Sequence, residues 1–317
     1  MRPALFLVLI LAVTSSHAWF WFRELIEEEE EPVAKAKPVC GRQASAYPPR
    51  LFNRFIGGTE ARPHSWPWLV TLFVDTGNGY SSICGASLIR VKDNVESSDI
   101  VLTAAHCVAK PETMNSNPQP LVTRQISLLA GNHRLKQAER GEDRRRVSQI
   151  RLHSGFRFSR ETGASNDVAL VKLSSPIRFS DTMRPVCLPS AGEALPVGKT
   201  CVTAGWGRNN SQSEQHMPGA LQQFVSPAHN ATACRKGWGE LYKEEQMICA
   251  GSLQGASGAC QGESGGTLAC QQADGSWTLY GVTIGGTCLA PDQPGNFARV
   301  SSYVDWITRN ARILTSL

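Results

Sequence analysis

Short apolar runs of six or seven residues, rich in β-branched side chains, recur along the chain, and Gly, Pro, Asn and Ser clusters separate them. The clearest are WLVTLFV (68–74), IVLTAA (100–105), ISLLAG (126–131), VALVKL (168–173), TCVTAGW (200–206) and LYGVTI (279–284). Many short strands punctuated by turn signals predict an all-β sandwich or barrel. Helical spacing is read only near the end, in SSYVDWITRNARIL (301–314), where Tyr303, Val304, Ile307, Ala311 and Leu314 fall on one face. The pattern predicts one β-rich unit over residues 55–300 closed by a C-terminal helix, with no internal repeat.

The N-terminus has another texture. Arg2 precedes the apolar run ALFLVLILAV, and Ser16-His17-Ala18 follows with small residues where a signal peptidase reads. The run is shorter than a bilayer span, so residues 1–18 are read as a cleaved signal peptide and the mature protein as secreted and extracellular, with no membrane partner. Residues 19–54 hold Glu27 to Glu31, then Pro, Ala and Lys, and then a polar stretch from Cys40 with prolines, the composition of a solvated pro-segment and linker.

Composition narrows the function classes. Over 317 residues, 41% hydrophobic and 19% charged residues suffice for a core and exclude a disordered chain. A net charge of +5, without a basic run interleaved with aromatics, gives no reason to expect nucleic acid. Ten cysteines in an exported chain imply five disulfides, among roughly a thousand possible pairings. No spacing is of the CxxC zinc type, so neither a metal nor another cofactor is expected. Asn209 and Asn230 each head a sequon for glycosylation.

Acyl transfer by a serine needs a base for its proton, a carboxylate to orient the base, and backbone N–H groups for the developing oxyanion. LTAAHC places His106 at the end of an apolar run, SNDVALVKL places Asp167 before another, and GESGG presents Ser264 after Gly262. Each string alone has a bland reading: a packed histidine, a turn aspartate, a chance glycine–serine string. Together, in the order His, Asp, Ser, they are more telling.

TAAHC, NDVALVKL, AGWG (204–207), MICAG (247–251) and CQGESGG resemble the signature blocks of the chymotrypsin-like serine proteases, and the resemblance covers about residues 40–317. It implies two packed six-stranded antiparallel Greek-key β-barrels with a C-terminal α-helix, in a protease domain over residues 55–317. It implies His106 as general base and acid, Asp167 as its orienter, Ser264 as nucleophile, and the N–H groups of Gly262 and Ser264 as oxyanion hole. Pairings carried over from the family are Cys84–Cys107, Cys201–Cys270, Cys234–Cys249, Cys260–Cys288 and Cys40–Cys187, the last tethering the pro-segment. Activation by another protease would cut after Arg54, and the new amine of Phe55 would pair with Glu263, where the family has aspartate.

The resemblance also frames specificity. Gly258 stands at the base of the implied pocket, and with Gly295 it leaves an uncharged slot for large apolar or aromatic P1 residues. VTIGGTC (282–288) replaces the family's VSWGxGC, so Gly285 or Gly286 takes part of the substrate-strand role. Asn132 replaces the family's calcium-loop acid, and no calcium dependence is expected. Arg134, Lys136, Arg140 and Arg144 to Arg146 read first as a solvated basic face. The function read from all this is a monomeric secreted serine endopeptidase made as a zymogen. Its partners are protein or peptide substrates, an activating protease and protein inhibitors. The alternative is a catalytically impaired homologue that binds or regulates, a reading prompted by Glu263 and by Thr267 in place of the family's proline.

Overall fold

The computed structural model describes residues 40–44, 58–75, 81–92, 95–159, 161–207, 219–253, 264–285 and 292–316, all within the unit Pro38–Leu317. The signal peptide and most of the pro-segment read from sequence lie outside the described residues.

Six strands close the first barrel: β2 (Leu69–Asp75), β3 (Ser81–Leu88), β4 (Ser97–Thr103), β5 (Ile126–Ala130), β6 (Asp143–Leu152) and β9 (Ala169–Arg178), joined in the order β2-β3-β4-β9-β6-β5. Cross-strand pairing sets its register. Val70, Leu72 and Val74 of β2 are buried and lie across from Ala130, Leu128 and Ile126 of β5, and a one-residue slip would move this set to the opposite face of the barrel wall. Each such side chain contributes roughly 1.5–3 kcal/mol on burial.

The second half is a seven-stranded sheet of β1 (Thr59–Glu60), β10 (Thr200–Gly205), β11 (Gln222–Pro227), β12 (Met247–Ala250), β13 (Thr267–Gln271), β14 (Trp277–Gly285) and β15 (Gly295–Arg299). Its order is β1-β11-β10-β13-β14-β15-β12. The far end returns to the start. Ala228 bridges Ala250, His229 N donates to Cys249 O at 3.1 Å, and Gly251 N donates to Pro227 O at 3.0 Å. The six strands from β11 to β12 thus roll up through this short seam, and β1 is added to the other end of the β11 edge. A small hairpin, β7 (Arg157–Ser159) and β8 (Gly163–Ser165), stands apart from both.

Tryptophans weld the halves together. Trp66 and Trp68 precede β2, Trp277 opens β14, and the Trp66 and Trp277 rings meet edge-on with centroids 4.8 Å apart. Trp66 Nε1 donates to Gln223 of β11 at 2.9 Å, which satisfies the indole inside the core.

The expected C-terminal helix is present as α3 (Val304–Ser316), after a 3₁₀ turn at Val300–Ser302. It buries Ile307, Ala311 and Leu314, and the Leu314 carbonyl accepts from Lys172 Nζ of β9 at 2.5 Å. Besides a single turn after β4, α1 (Ala105–Val108), the described residues include a helix the pattern does not predict, α2 (Ala231–Trp238). Only Cys234 of α2 is buried, so no apolar stripe marks it; Asn230 caps it by accepting from Ala233 N at 2.8 Å. Asn230 is exposed, and its sequon sits at this helix start.

Four of the implied disulfides are formed: Cys40–Cys187, Cys84–Cys107, Cys201–Cys270 and Cys234–Cys249. Cys260 lies outside the described residues, as does Cys288. Among the described residues no helix is long and apolar enough to cross a membrane.

Candidate active site

β4 delivers the histidine. It ends at Thr103, and the chain turns at once into α1, with His106 in that turn and Cys107 tied back to Cys84 of β3. Closing this loop of 23 residues stabilises the turn by about 3 kcal/mol in the chain-entropy account. Asp167 arrives from the other side, two residues before β9, and its carboxylate is fully buried. One carboxylate oxygen accepts the His106 backbone N–H at 2.9 Å and the other meets His106 Nδ1 at 2.7 Å. An ionised carboxylate only accepts, so Nδ1 carries the hydrogen and Nε2 is the free acceptor of this tautomer. Burial works against the imidazolium, but the Asp167 charge and hydrogen bond outweigh it and hold the ring above the ordinary histidine value.

Ser264 comes from the second half. Gly85 N of β3 donates to the Ser264 carbonyl at 2.7 Å, while Gly265 N donates to Thr283 O at 2.7 Å and Thr283 N to Gly266 O at 2.9 Å. The turn after the serine therefore lies between β14 and the first barrel. The approach is close enough that a Cβ on Gly265 would sit 2.3 Å from Thr103 Oγ1 and 2.4 Å from Gly85 O. Thr103 Oγ1 donates to Gly85 O at 2.8 Å, which fixes that oxygen. Ser264 is thus pinned within a few residues of His106. Among the described residues, no hydrogen bond joins its hydroxyl to the imidazole.

Thr267, read as a departure, has a partner. Its Oγ1 lies 2.7 Å from Ser87 Oγ of β3, both side chains buried, so a cross-barrel hydrogen bond stands where a proline would offer none. Thr283 is fully buried with the turn's backbone bonds on it. Phe158 of β7, 36% exposed, faces the His106 ring at 6.3 Å between centroids. The hairpin carrying it is held by Lys243 Nζ, which donates to Thr162 O at 3.1 Å and Ala164 O at 3.0 Å.

Of the residues expected from sequence to shape specificity, Gly285 ends β14 facing open space, and Gly295 is buried where a Cβ would meet Phe297 at 3.0 Å. Gly258, Gly262, Glu263, Gly286, Arg54, Phe55 and Asn209 lie outside the described residues. Cys84 Sγ, Cys107 Sγ and a His106 nitrogen fall within 4.8 Å of one another, but the sulfurs are bonded to each other and cannot ligate a metal. Asn132 is buried, while Arg140, Arg144 and Arg146 are exposed; Arg144 lies over the Phe73 ring at 5.4 Å.

Comparison with known proteins settles the family. The family model described as Trypsin matches residues 55–307. This chain belongs to the trypsin family. It is 34% identical to chymotrypsin-C of Rattus norvegicus over 280 residues, covering 86% of this chain and 94% of that protein. It is 34% identical to chymotrypsin-C of Bos taurus over 279 residues (86% and 94%) and 35% identical to that of Mus musculus over 275 (84% and 92%). As a trypsin-family member it is a serine endopeptidase, a hydrolase acting on protein substrates.

Proposed function

We propose that this trypsin-family chain is a secreted zymogen whose catalytic triad is His106, Asp167 and Ser264. The observation that carries the reading is the two-point grip of Asp167 on His106, at 2.9 and 2.7 Å, which selects the tautomer with Nε2 free to take a proton. Ser264 Oγ attacks the scissile carbonyl and His106 Nε2 takes its proton. The imidazolium is stabilised by Asp167, and the same proton passes to the leaving amine as the acyl-enzyme forms. Water, deprotonated by His106, then attacks the acyl carbonyl, and the imidazolium returns that proton to Ser264 Oγ as the ester C–O bond breaks and the acid leaves. The N–H groups of Gly262 and Ser264 hold the oxyanion.

Processing after Arg54 brings Ser264 and His106 into hydrogen-bonding reach as the Phe55 amine pairs with Glu263. Glutamate is one methylene longer than aspartate, and the bulkier Phe55 terminus is matched to it. Gly41 N donates to Pro185 O at 2.7 Å, Trp277 N to Gly41 O at 2.9 Å, and Arg42 pairs with Asp274 at 2.8 Å. With Cys40–Cys187, these contacts keep the cut pro-segment attached. An uncharged pocket over Gly258, Gly285, Gly286 and Gly295 takes large apolar or aromatic P1 residues, in keeping with relatives named chymotrypsin-C. The enzyme works outside the cell as a monomer, without cofactor or membrane, on protein and peptide substrates and under protein inhibitors.

The test is labelling by a fluorophosphonate probe after trypsin treatment, with Ser264→Ala as control. Labelling of the processed wild type alone supports the triad, and equal silence of both would leave the regulatory homologue standing. A chromogenic panel in which an arginine substrate outruns phenylalanine and leucine would remove the apolar P1 assignment.

A further inference from the structure

The residue before the triad aspartate is held in an uncommon conformation. Asn166 has φ 50°, in the left-handed region, which asparagine enters more readily than other residues with a Cβ. Its hydrogen bonds say what holds it there. Its side-chain Nδ2 donates to Gly155 O at 3.0 Å, and Val168 N donates to its carbonyl at 2.9 Å, but both partners belong to the same loop. Its backbone N–H reaches farther and donates to Gln246 Oε1 at 2.9 Å across 80 residues of sequence.

Gln246 belongs to the other half of the molecule. It stands immediately before β12, and its own backbone is bonded on both sides: Gln246 N donates to Lys243 O at 2.9 Å and Arg299 N donates to Gln246 O at 2.8 Å. Tyr303, buried at the entry to α3, adds its hydroxyl to Asn166 Oδ1 at 3.4 Å. The turn that presents Asp167 is therefore set by the second barrel, the one that also carries Ser264.

We propose that Gln246 is a positioning residue: it fixes the Asn166 turn from across the barrel interface and so sets how Asp167 grips His106. The inference rests on the triad reading above. Without the Gln246 acceptor, Asn166 N–H loses its partner, and the left-handed turn keeps only the longer Tyr303 hydroxyl contact, at 3.4 Å, from the far side. Asp167 then shifts relative to His106 Nδ1, and a displacement near 1 Å lowers turnover by roughly a hundredfold. Among the described residues Asp167 is the charged group acting on the His106 ring, and Tyr303 is a second titratable group that feels it.

The test compares Gln246→Leu, which removes the acceptor at similar volume, with Gln246→Glu, which keeps an oxygen there. In processed protein the kcat of Gln246→Leu is expected to fall roughly ten- to a hundredfold with KM little changed, while Gln246→Glu recovers most of it. Proton NMR titration of His106, in the full chain carrying Ser264→Ala, reads the same contact without hydrolysis. The midpoint should fall in Gln246→Leu and stand at or above the parent value in Gln246→Glu. Two results overturn the proposal. One is an unmoved His106 midpoint in Gln246→Leu; the other is a loss of kcat that Gln246→Glu shares in proportion to lowered thermal stability. If the wild type fails to hydrolyse or label at all, the triad reading falls, and the NMR midpoint still decides the role of Gln246.

Discussion

Gly265→Ala should disable the site more than it destabilises the fold. Gly265 has φ +75°, so alanine there costs roughly 1–2 kcal/mol in backbone conformation alone. Its methyl would meet Gly85 O at 2.4 Å and Thr103 Oγ1 at 2.3 Å. Neither yields easily, because Thr103 donates to that same oxygen at 2.8 Å and Gly85 N holds the Ser264 carbonyl at 2.7 Å. Overpacking of this kind adds about 1–3 kcal/mol, and the turn must retreat from the first barrel, taking Ser264 with it. The expected outcome is a Tm lower by about 5–15 °C and a kcat reduced by roughly a hundredfold in the folded, processed protein. Gly275→Ala is the control: φ is +80°, but the nearest atom to an added methyl is Arg42 Nη1 at 3.5 Å, so strain appears without a clash. Differential scanning calorimetry and turnover of an apolar-P1 chromogenic peptide give the two readouts. If Gly265→Ala and Gly275→Ala show the same kcat, the claim that this close approach places the serine is wrong.

Thr267→Val removes the hydroxyl that meets Ser87 at 2.7 Å and leaves a buried group unpaired, so stability should drop by about 1–3 kcal/mol in urea titration; a Ser87→Ala partner mutation should recover part of it, and no loss at all would remove the compensation argument. Asp167 raises the His106 pKa above its ordinary value of 6.5, and a general base must be neutral, so kcat/KM should fall on the acid side with a midpoint above 6.5; a lower midpoint would mean another group titrates. The same shift adds stability that is whole below the unfolded value and fades as pH rises through the folded one, a sign that thermal melts across that window can check. In Cys40→Ser the processed pro-segment should separate on a denaturing gel without reductant, whereas the wild type should need reductant.

How far the sequence foretells this depends on what each residue packs against. VALVKL and WLVTLFV read as strands because both faces or alternate positions are buried, as in β9 and β2. DRRRVSQIRL of β6 does not, since its outer positions are arginines in solvent. β3 (SSICGASL) is hidden for the opposite reason: it is built of small residues so that Gly85 can approach Gly266. His106, Asp167 and Ser264 can be proposed from sequence because each sits in a local string with its own signature. Gln246 is not, since it meets Asn166 only after 80 residues of chain have folded back, and a glutamine before a strand has no local mark.

The contacts that matter to the site share a direction: each crosses from one half of the molecule to the other. Gly85 holds Ser264, Thr103 abuts Gly265, Ser87 meets Thr267, and Gln246 holds Asn166. Neither half could set the proposed triad alone, because His106 and Asp167 come from the first barrel and Ser264 from the second. Departures from the family pattern along this seam must therefore be judged in pairs. Thr267 opposite alanine would leave a buried hydroxyl unsatisfied; opposite Ser87 it adds a hydrogen bond. The proposed pairing of Glu263 with the Phe55 amine calls for the same treatment, and the double variant Phe55→Ile with Glu263→Asp is its test. If both single changes lower kcat and the double restores it, the two positions are matched. If Glu263→Asp alone raises activity, the longer acid is a defect that the rest of the site tolerates.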